Sequence, residues 1–257
     1  PDGASILLAT GRARHDLLVI AEPAFLRDLD QAWGRPSARV RLSFLPGVQA
    51  PSAPGHEDAL LSYERGGLGV LVARGRTSMY EGEAARSATA LARIASGAHL
   101  RAALLVTRAT PLRGSGDVAG GSAPGQVRVV ADHLNVTGGS LFPAAGMVSA
   151  GWDARLTERL GSLRGVSGSS VVALVPGPLR PSPAESHALA SLGADAAVTD
   201  SVAEAMILAA RGVAVSALTY LDAPAVGGNL GHAQLSLRQA SGVTLAAVEE
   251  ILRGLRA

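Results

Sequence analysis

Cysteine is missing from this chain, and so is lysine: all 23 basic residues other than histidine are arginines. Without a thiol, neither a disulfide framework nor a thiolate metal site can form, and a reducing compartment is the expectation. Without lysine there is no amine for a Schiff base or for a point-charge phosphate clamp. No apolar run approaches the roughly 18 residues of a membrane span, and no basic segment followed by an apolar one opens the chain. A cytoplasmic protein with no membrane partner is therefore expected. Nucleic acid is excluded on similar grounds. The pI of 9.7 accompanies a net charge of only +2, and the arginines are scattered along the chain, not gathered in one stripe. The six histidines show no metal-ligand spacing, so neither a metal nor an organic cofactor is expected.

What the chain does have is apolar content. Its 257 residues are 47% hydrophobic and 17% charged, enough for one large core, and no stretch reads as an interdomain linker. A single domain over 1–257 is expected. Short apolar runs have the length and continuity of buried strands: "DLLVIA" (16–21), "GVLVARG" (69–75), "RAALLVT" (101–107), "QVRVVADH" (126–133), "SSVVALVP" (169–176), "ADAAVTD" (194–200) and "VAVSALTY" (213–220). Helical segments lie between several of them, at 81–98, 182–193 and 201–212. The last two begin with serine and end with glycine, as helix caps do. Further helices are expected in "EPAFLRDLDQAWG" and "GVTLAAVEEILRGLRA". Gly66, Gly67 and Gly69 lack the spacing of a dinucleotide fingerprint and precede a strand, so they predict a hairpin turn. The pattern predicts a three-layer α/β/α fold.

Polar chemistry concentrates just after one of these strands. "GRTSMYEG" (75–82) sets Arg76, Tyr80 and Glu81 at the end of an apolar run, where an α/β protein places its ligands. This segment resembles the GR-x-H-x-YEG of the trimeric purine nucleoside phosphorylases. "ADHLN" is similar to that family's RDHIN, and "LGADAAVTDSVAEAMILAARGVAV" to its LGAD-x-VGMSTVPE segment. "LTYLDAPAVGGNLGH" matches its LTN-L-A-A-G…L-x-H, and the interval from "GH" at 55–56 to "GR" at 75–76 agrees as well. The resemblance covers most of the chain in the right order. It implies a central mixed sheet, a homotrimer, and a pentosyltransferase that cleaves purine nucleosides with phosphate as co-substrate.

Carried over position by position, the resemblance implies phosphate contacts from His56, the Arg76 guanidinium and the backbone at Ala109. It implies a sugar contact from His232, and ribose or base contacts from Tyr80, Thr199 and Arg180. Phe142, in a loop after "ADHLN", would reach a neighbouring subunit's pocket. The departures are as specific. The family's glycine-rich G-S-G-L-G phosphate turn is replaced by "AEPAF" (21–25), where Pro23 has no N–H and Glu22 adds negative charge. Asp200 stands where the family has a phosphate-binding serine, and Ser78 replaces the histidine of GR-x-H. Pro181 stands where a base-binding glutamate is expected. The asparagine that donates to N7 of the leaving base becomes Tyr220, whose hydroxyl would take over that donation; Asp222 is the alternative acid. Three readings stay open: a phosphorylase with an altered pocket, a non-catalytic binding or partner subunit, and a hydrolase-like enzyme on the same fold.

Overall fold

The apolar run at 17–20 is buried on both faces as strand β1 (Leu17–Ile20), which requires layers above and below it. The computed structural model describes residues 3–79, 85–112, 123–138, 150–177, 180–222 and 230–257, without the side chains of 230–236. In it, β1 lies between two parallel neighbours, β4 (Leu68–Ala73) and β5 (Ala102–Pro111). β4 continues antiparallel to β3 (Leu60–Arg65), and β3 to β2 (Ala38–Val40). The β3–β4 connection is the glycine hairpin that the sequence predicts. Gly66 and Gly67 sit at φ +58° and +79°, a pair of values that side chains with a Cβ resist.

β5 runs parallel to β9 (Ala214–Leu221), from Ala102 opposite Ala214 to Ala109 opposite Leu221. Its last residues, Thr110 and Pro111, pair instead with β8 (Ala196–Val198) in the antiparallel sense. β8 pairs with β7 (Val166–Leu174), β7 with β6 (Val127–Asn135), and β6 returns antiparallel to β9. Among the described residues the sheet has nine strands and is mixed, as expected, and five of them close into a ring.

Alternation along the central strands divides the core in two. Leu18, Ile20, Leu71 and Leu105 face one side, under α4 (Ala90–Ser96) and α7 (Val202–Ala210). Leu17, Val19, Val70 and Leu104 face the other, under α2 (Pro23–Trp33) and α8 (Leu230–Arg256). Burial of each such leucine contributes about 1.5–3 kcal/mol against leaving it in water. Among the described residues the remaining α-helices are α1 (Ala4–Thr10), α3 (Ala85–Ala88), α5 (Ala154–Gly161) and α6 (Pro183–Ser191). α6 starts as its serine predicts: Ser182 accepts from the Glu185 N–H, and the Glu185 carboxylate accepts from the Ser182 N–H.

Candidate active site

Parallel strands point their carboxyl ends the same way, and the residues that leave β1, β4, β5 and β9 gather there. Glu22 follows β1, Arg108 and Ala109 close the pairing of β5 with β9, and Asp222 follows β9. Thr199 and Asp200 follow β8. With Pro54, His56, Arg180 and Pro181 they line a cleft of about 300 Å³. The "GR" of the motif has a steric cause. A Cβ at residue 75 would lie 2.8 Å from the Glu57 carbonyl oxygen, so only glycine lets the 56–57 backbone pass this close. Arg74 fixes the same passage by donating to Glu57 at 2.7 Å and to both Asp30 oxygens at 2.8 Å. His56 is thereby brought alongside Arg76, and its Nδ1 accepts the Arg76 backbone N–H at 3.1 Å. That bond assigns the proton of a neutral ring to Nε2, the atom 3.8 Å from Glu22 Oε1.

Arg76 does not line the cleft but forms its floor, with only 3% of its surface exposed. Nη1 donates to Asp200 Oδ1 at 2.7 Å, and Nη2 donates to the carbonyls of Ile20 and Val106 at 2.9 and 3.0 Å. Asp200 also accepts the Thr107 hydroxyl. Burial works against the guanidinium charge, but Asp200, Glu204 and Glu22 outweigh it and hold the pKa above the usual arginine value. Glu204, on α7, is buried 3.5 Å from Arg76 Nη1, and among the described residues neither of its oxygens completes a hydrogen bond. Burial is the largest influence on this carboxyl; the Arg76 charge opposes it, the Asp200 charge adds to it, the nearby Ser201 backbone N–H opposes it again, and the pKa rises to about 7.

The second cation cluster is centred on a residue that the motifs do not mark. Arg108 Nε donates to both Glu22 oxygens at 2.9 and 3.0 Å, and Nη1 donates to Asp222 at 2.9 Å. Its guanidinium carbon lies 5.2 Å from the centre of the Phe25 ring and 5.9 Å from that of Tyr220. Arg180 approaches Asp222 from the other wall at 3.9 Å. The signal for Arg108 is a lone charge three residues from the end of a mostly apolar strand, "AALLVTRATP".

The structure therefore brings His56, Ala109, Thr199 and Arg180 together on the cleft wall and sets Arg76 beneath them. Tyr220 is not on the wall. Its buried ring packs at 5.6 Å from Phe25 in the core behind Arg108, and Asp222 takes the cleft position at the end of β9. The reason is position along the strand: Leu218 and Tyr220 lie within β9 on the face that packs under α2 and α8, whereas Asp222 comes one residue after the strand ends at Leu221. Ser78 is buried and donates to the Thr199 carbonyl at 2.8 Å. The Ala109 carbonyl accepts from the Asp222 N–H. Tyr80 and Phe142 lie outside the described residues. His232 falls in α8, but its side chain is also outside them.

No family model matches the chain. Among curated proteins, it is 32% identical over 240 residues to the purine nucleoside phosphorylase of Mycobacterium tuberculosis, covering 91% of this chain and 87% of that protein. The purine nucleoside phosphorylase of Mycobacterium leprae is 33% identical over 231 residues, with 88% and 84% covered. Among solved structures, isoform 2 of the Schistosoma mansoni purine nucleoside phosphorylase, in complex with cytosine and ribose-1-phosphate, matches with a TM-score of 0.78. The identity there is 19%, over 97% of this chain and 93% of that one, a likeness of fold. The S. mansoni enzyme in complex with inosine gives a TM-score of 0.77 over the same shares. With that identity to the mycobacterial proteins along nine-tenths of its length, the chain belongs to the purine nucleoside phosphorylase family.

Proposed function

We propose that the protein is a purine nucleoside phosphorylase, transferring the pentosyl group of a purine ribonucleoside or deoxyribonucleoside to phosphate. The products are the free base and a pentose 1-phosphate, and phosphate is the only co-substrate. The observation that carries this reading is the convergence of separate sequence segments on one cleft: Glu22, His56, Arg108–Ala109 and Thr199–Asp200 all line it. The curated relatives bear this activity in their names.

The reaction needs no covalent intermediate. The bond from C1′ of the sugar to the base breaks ahead of attack, leaving positive charge on the sugar and negative charge on the departing purine; an oxygen of hydrogen phosphate then bonds to C1′, and the proton that the phosphate gives up goes to the purine. Preset charges on the cleft wall suit both developments. Arg108 and Arg180 keep 35% and 44% of their side-chain surface exposed, so both can face an anion or the leaving base. His56 offers Nε2–H to phosphate, and Thr199 the sugar side of the wall. Asp222, fixed by Arg108, replaces Tyr220 as the polar group that orients the base.

Purified protein incubated with inosine, guanosine, adenosine and a pyrimidine nucleoside, with and without phosphate, should release purine base only when phosphate is present. Base release without phosphate would point to hydrolysis. No release by folded protein would leave a binding subunit. Asp222→Ala is expected to lower kcat/KM by about 10²-fold, the loss typical of one transition-state contact, and Tyr220→Phe far less.

A homotrimer belongs to the same proposal, with Phe142 as a residue that one subunit lends to its neighbour's cleft. Sedimentation should show a trimer at micromolar concentration, and a stable monomer would rule it out. No described helix is long and apolar enough to cross a membrane, and the cytoplasm is the compartment that fits a chain without cysteine.

A further inference from the structure

We infer that Asp200 sets the affinity for the attacking anion by holding a negative charge against Arg76, so that inorganic phosphate binds weakly until this charge is removed. The inference rests on the phosphorolytic reading of the cleft and adds the residue that limits its nucleophile. Arg76 already donates to a carboxylate and two carbonyls, with almost none of its surface left for a ligand. Asp200, by contrast, lines the cleft, so an anion entering above Arg76 meets the carboxylate before the guanidinium.

The neighbouring donors are occupied in the same way. Arg108 holds Glu22 and Asp222, and the Nε2 of His56 faces Glu22. Three arginines, Arg76, Arg108 and Arg180, thus meet three cleft carboxylates, Glu22, Asp200 and Asp222. The site is close to neutral before any anion arrives, and a phosphate dianion has to displace or tolerate a like charge at contact distance. The backbone holds Asp200 in place: Ser201 sits at φ +66°, rare for a side-chain-bearing residue, and its hydroxyl donates to the Asp200 carbonyl.

Asp200→Ser removes the competing anion, and Asp200→Asn keeps the shape and an acceptor oxygen for Arg76 and Thr107 while removing only the charge. Binding of inorganic phosphate is measured by calorimetry and by the rise in melting temperature for wild type and both variants. The KM for phosphate and the KM for nucleoside are then compared. Both variants should bind phosphate about 10- to 100-fold more tightly than wild type, with the phosphate KM falling in step and the nucleoside KM little changed. If Asp200→Ser does not fold, Asp200→Asn carries the comparison alone. Phosphate affinity in the variants no better than in wild type overturns the inference. The binding arm needs no turnover. If no form cleaves a nucleoside, the proposed activity fails, while the phosphate comparison still decides the role of Asp200.

Discussion

Arg76→Ala is expected to destabilise the fold by about 3–5 kcal/mol, the usual cost of removing one partner from a buried ion pair. The cause is what the arginine leaves behind. Asp200 and Glu204 would lose their nearest positive charge, and the carbonyls of Ile20 and Val106 would lose a shared donor at the meeting point of β1 and β5. The loss should be larger at pH 8 than at pH 5. Without the Arg76 charge that lowers it, the Glu204 pKa rises further in the folded state, so the fold takes up a proton that the unfolded chain does not, and its stability falls as pH rises. Urea unfolding of wild type and variant at both pH values measures this; a difference under about 1 kcal/mol at pH 8 would show that Arg76 is not the keystone of the cleft floor. Loss of activity in Arg76→Ala cannot then be assigned to a phosphate contact alone. Asp200→Asn, which keeps Arg76 and an acceptor oxygen for it, is the cleaner probe of anion binding.

The strands that the sequence reveals are those whose two faces are both covered, because double burial demands an unbroken apolar run. β1, β4 and β9 are of this kind. β3 was not anticipated: "LLSYER" is apolar only in part, and antiparallel pairing on both of its sides, not an apolar run, defines it as a strand. Ring closure was beyond the sequence too. It depends on Thr110 and Pro111 finding Ala197 and Ala196 some 85 positions away, and no local pattern encodes that meeting.

The site was legible as positions but not as partnerships. Motif spacing placed His56, Ala109, Thr199 and Arg180, and all four line the cleft. It gave no hint that Arg76 is held by Asp200, 124 residues on, or that Arg108 is bound to both Glu22 and Asp222. The two helix starts show why local signals fail at such a place. Ser182-x-x-Glu185 and Ser201-x-x-Glu204 have the same pattern. The first closes its reciprocal cap in solvent. In the second, the Ser201 hydroxyl turns to the Asp200 carbonyl, while Glu204, still influenced by the Ser201 backbone N–H, lies 3.5 Å from Arg76, so the reciprocal cap does not close. A local preference has yielded to the long-range demand of a buried cation.

That diversion leads to the second large effect. A glutamate with an ordinary pKa of 4.5 is held in the fold at about 7, chiefly because burial disfavours its charge. The folded state therefore keeps the Glu204 proton over a window where the unfolded chain has released it. The contribution is complete below about 4.5 and is lost as pH rises through about 7. Over that window it amounts to on the order of 3 kcal/mol, since each pKa unit is worth about 1.4. Glu204→Gln removes the titration and leaves a neutral side chain of the same shape beside Arg76. Because both proteins share every other titrating group, subtracting their stability curves isolates this one. Glu204→Gln should match wild type near pH 4.5 and exceed it by on the order of 3 kcal/mol at pH 8, with most of the change between pH 5 and 7. Urea midpoints at half-unit pH steps, at constant ionic strength, would trace the difference. A flat difference would mean that the folded and unfolded chains hold the Glu204 proton equally, and a variant less stable than wild type at pH 8 would mean that Arg76 needs the second carboxylate. The direction also bears on chemistry: if the ionised form of Glu204 is the strained one, Arg76 is satisfied by Asp200 alone, and the cleft floor needs only one anion.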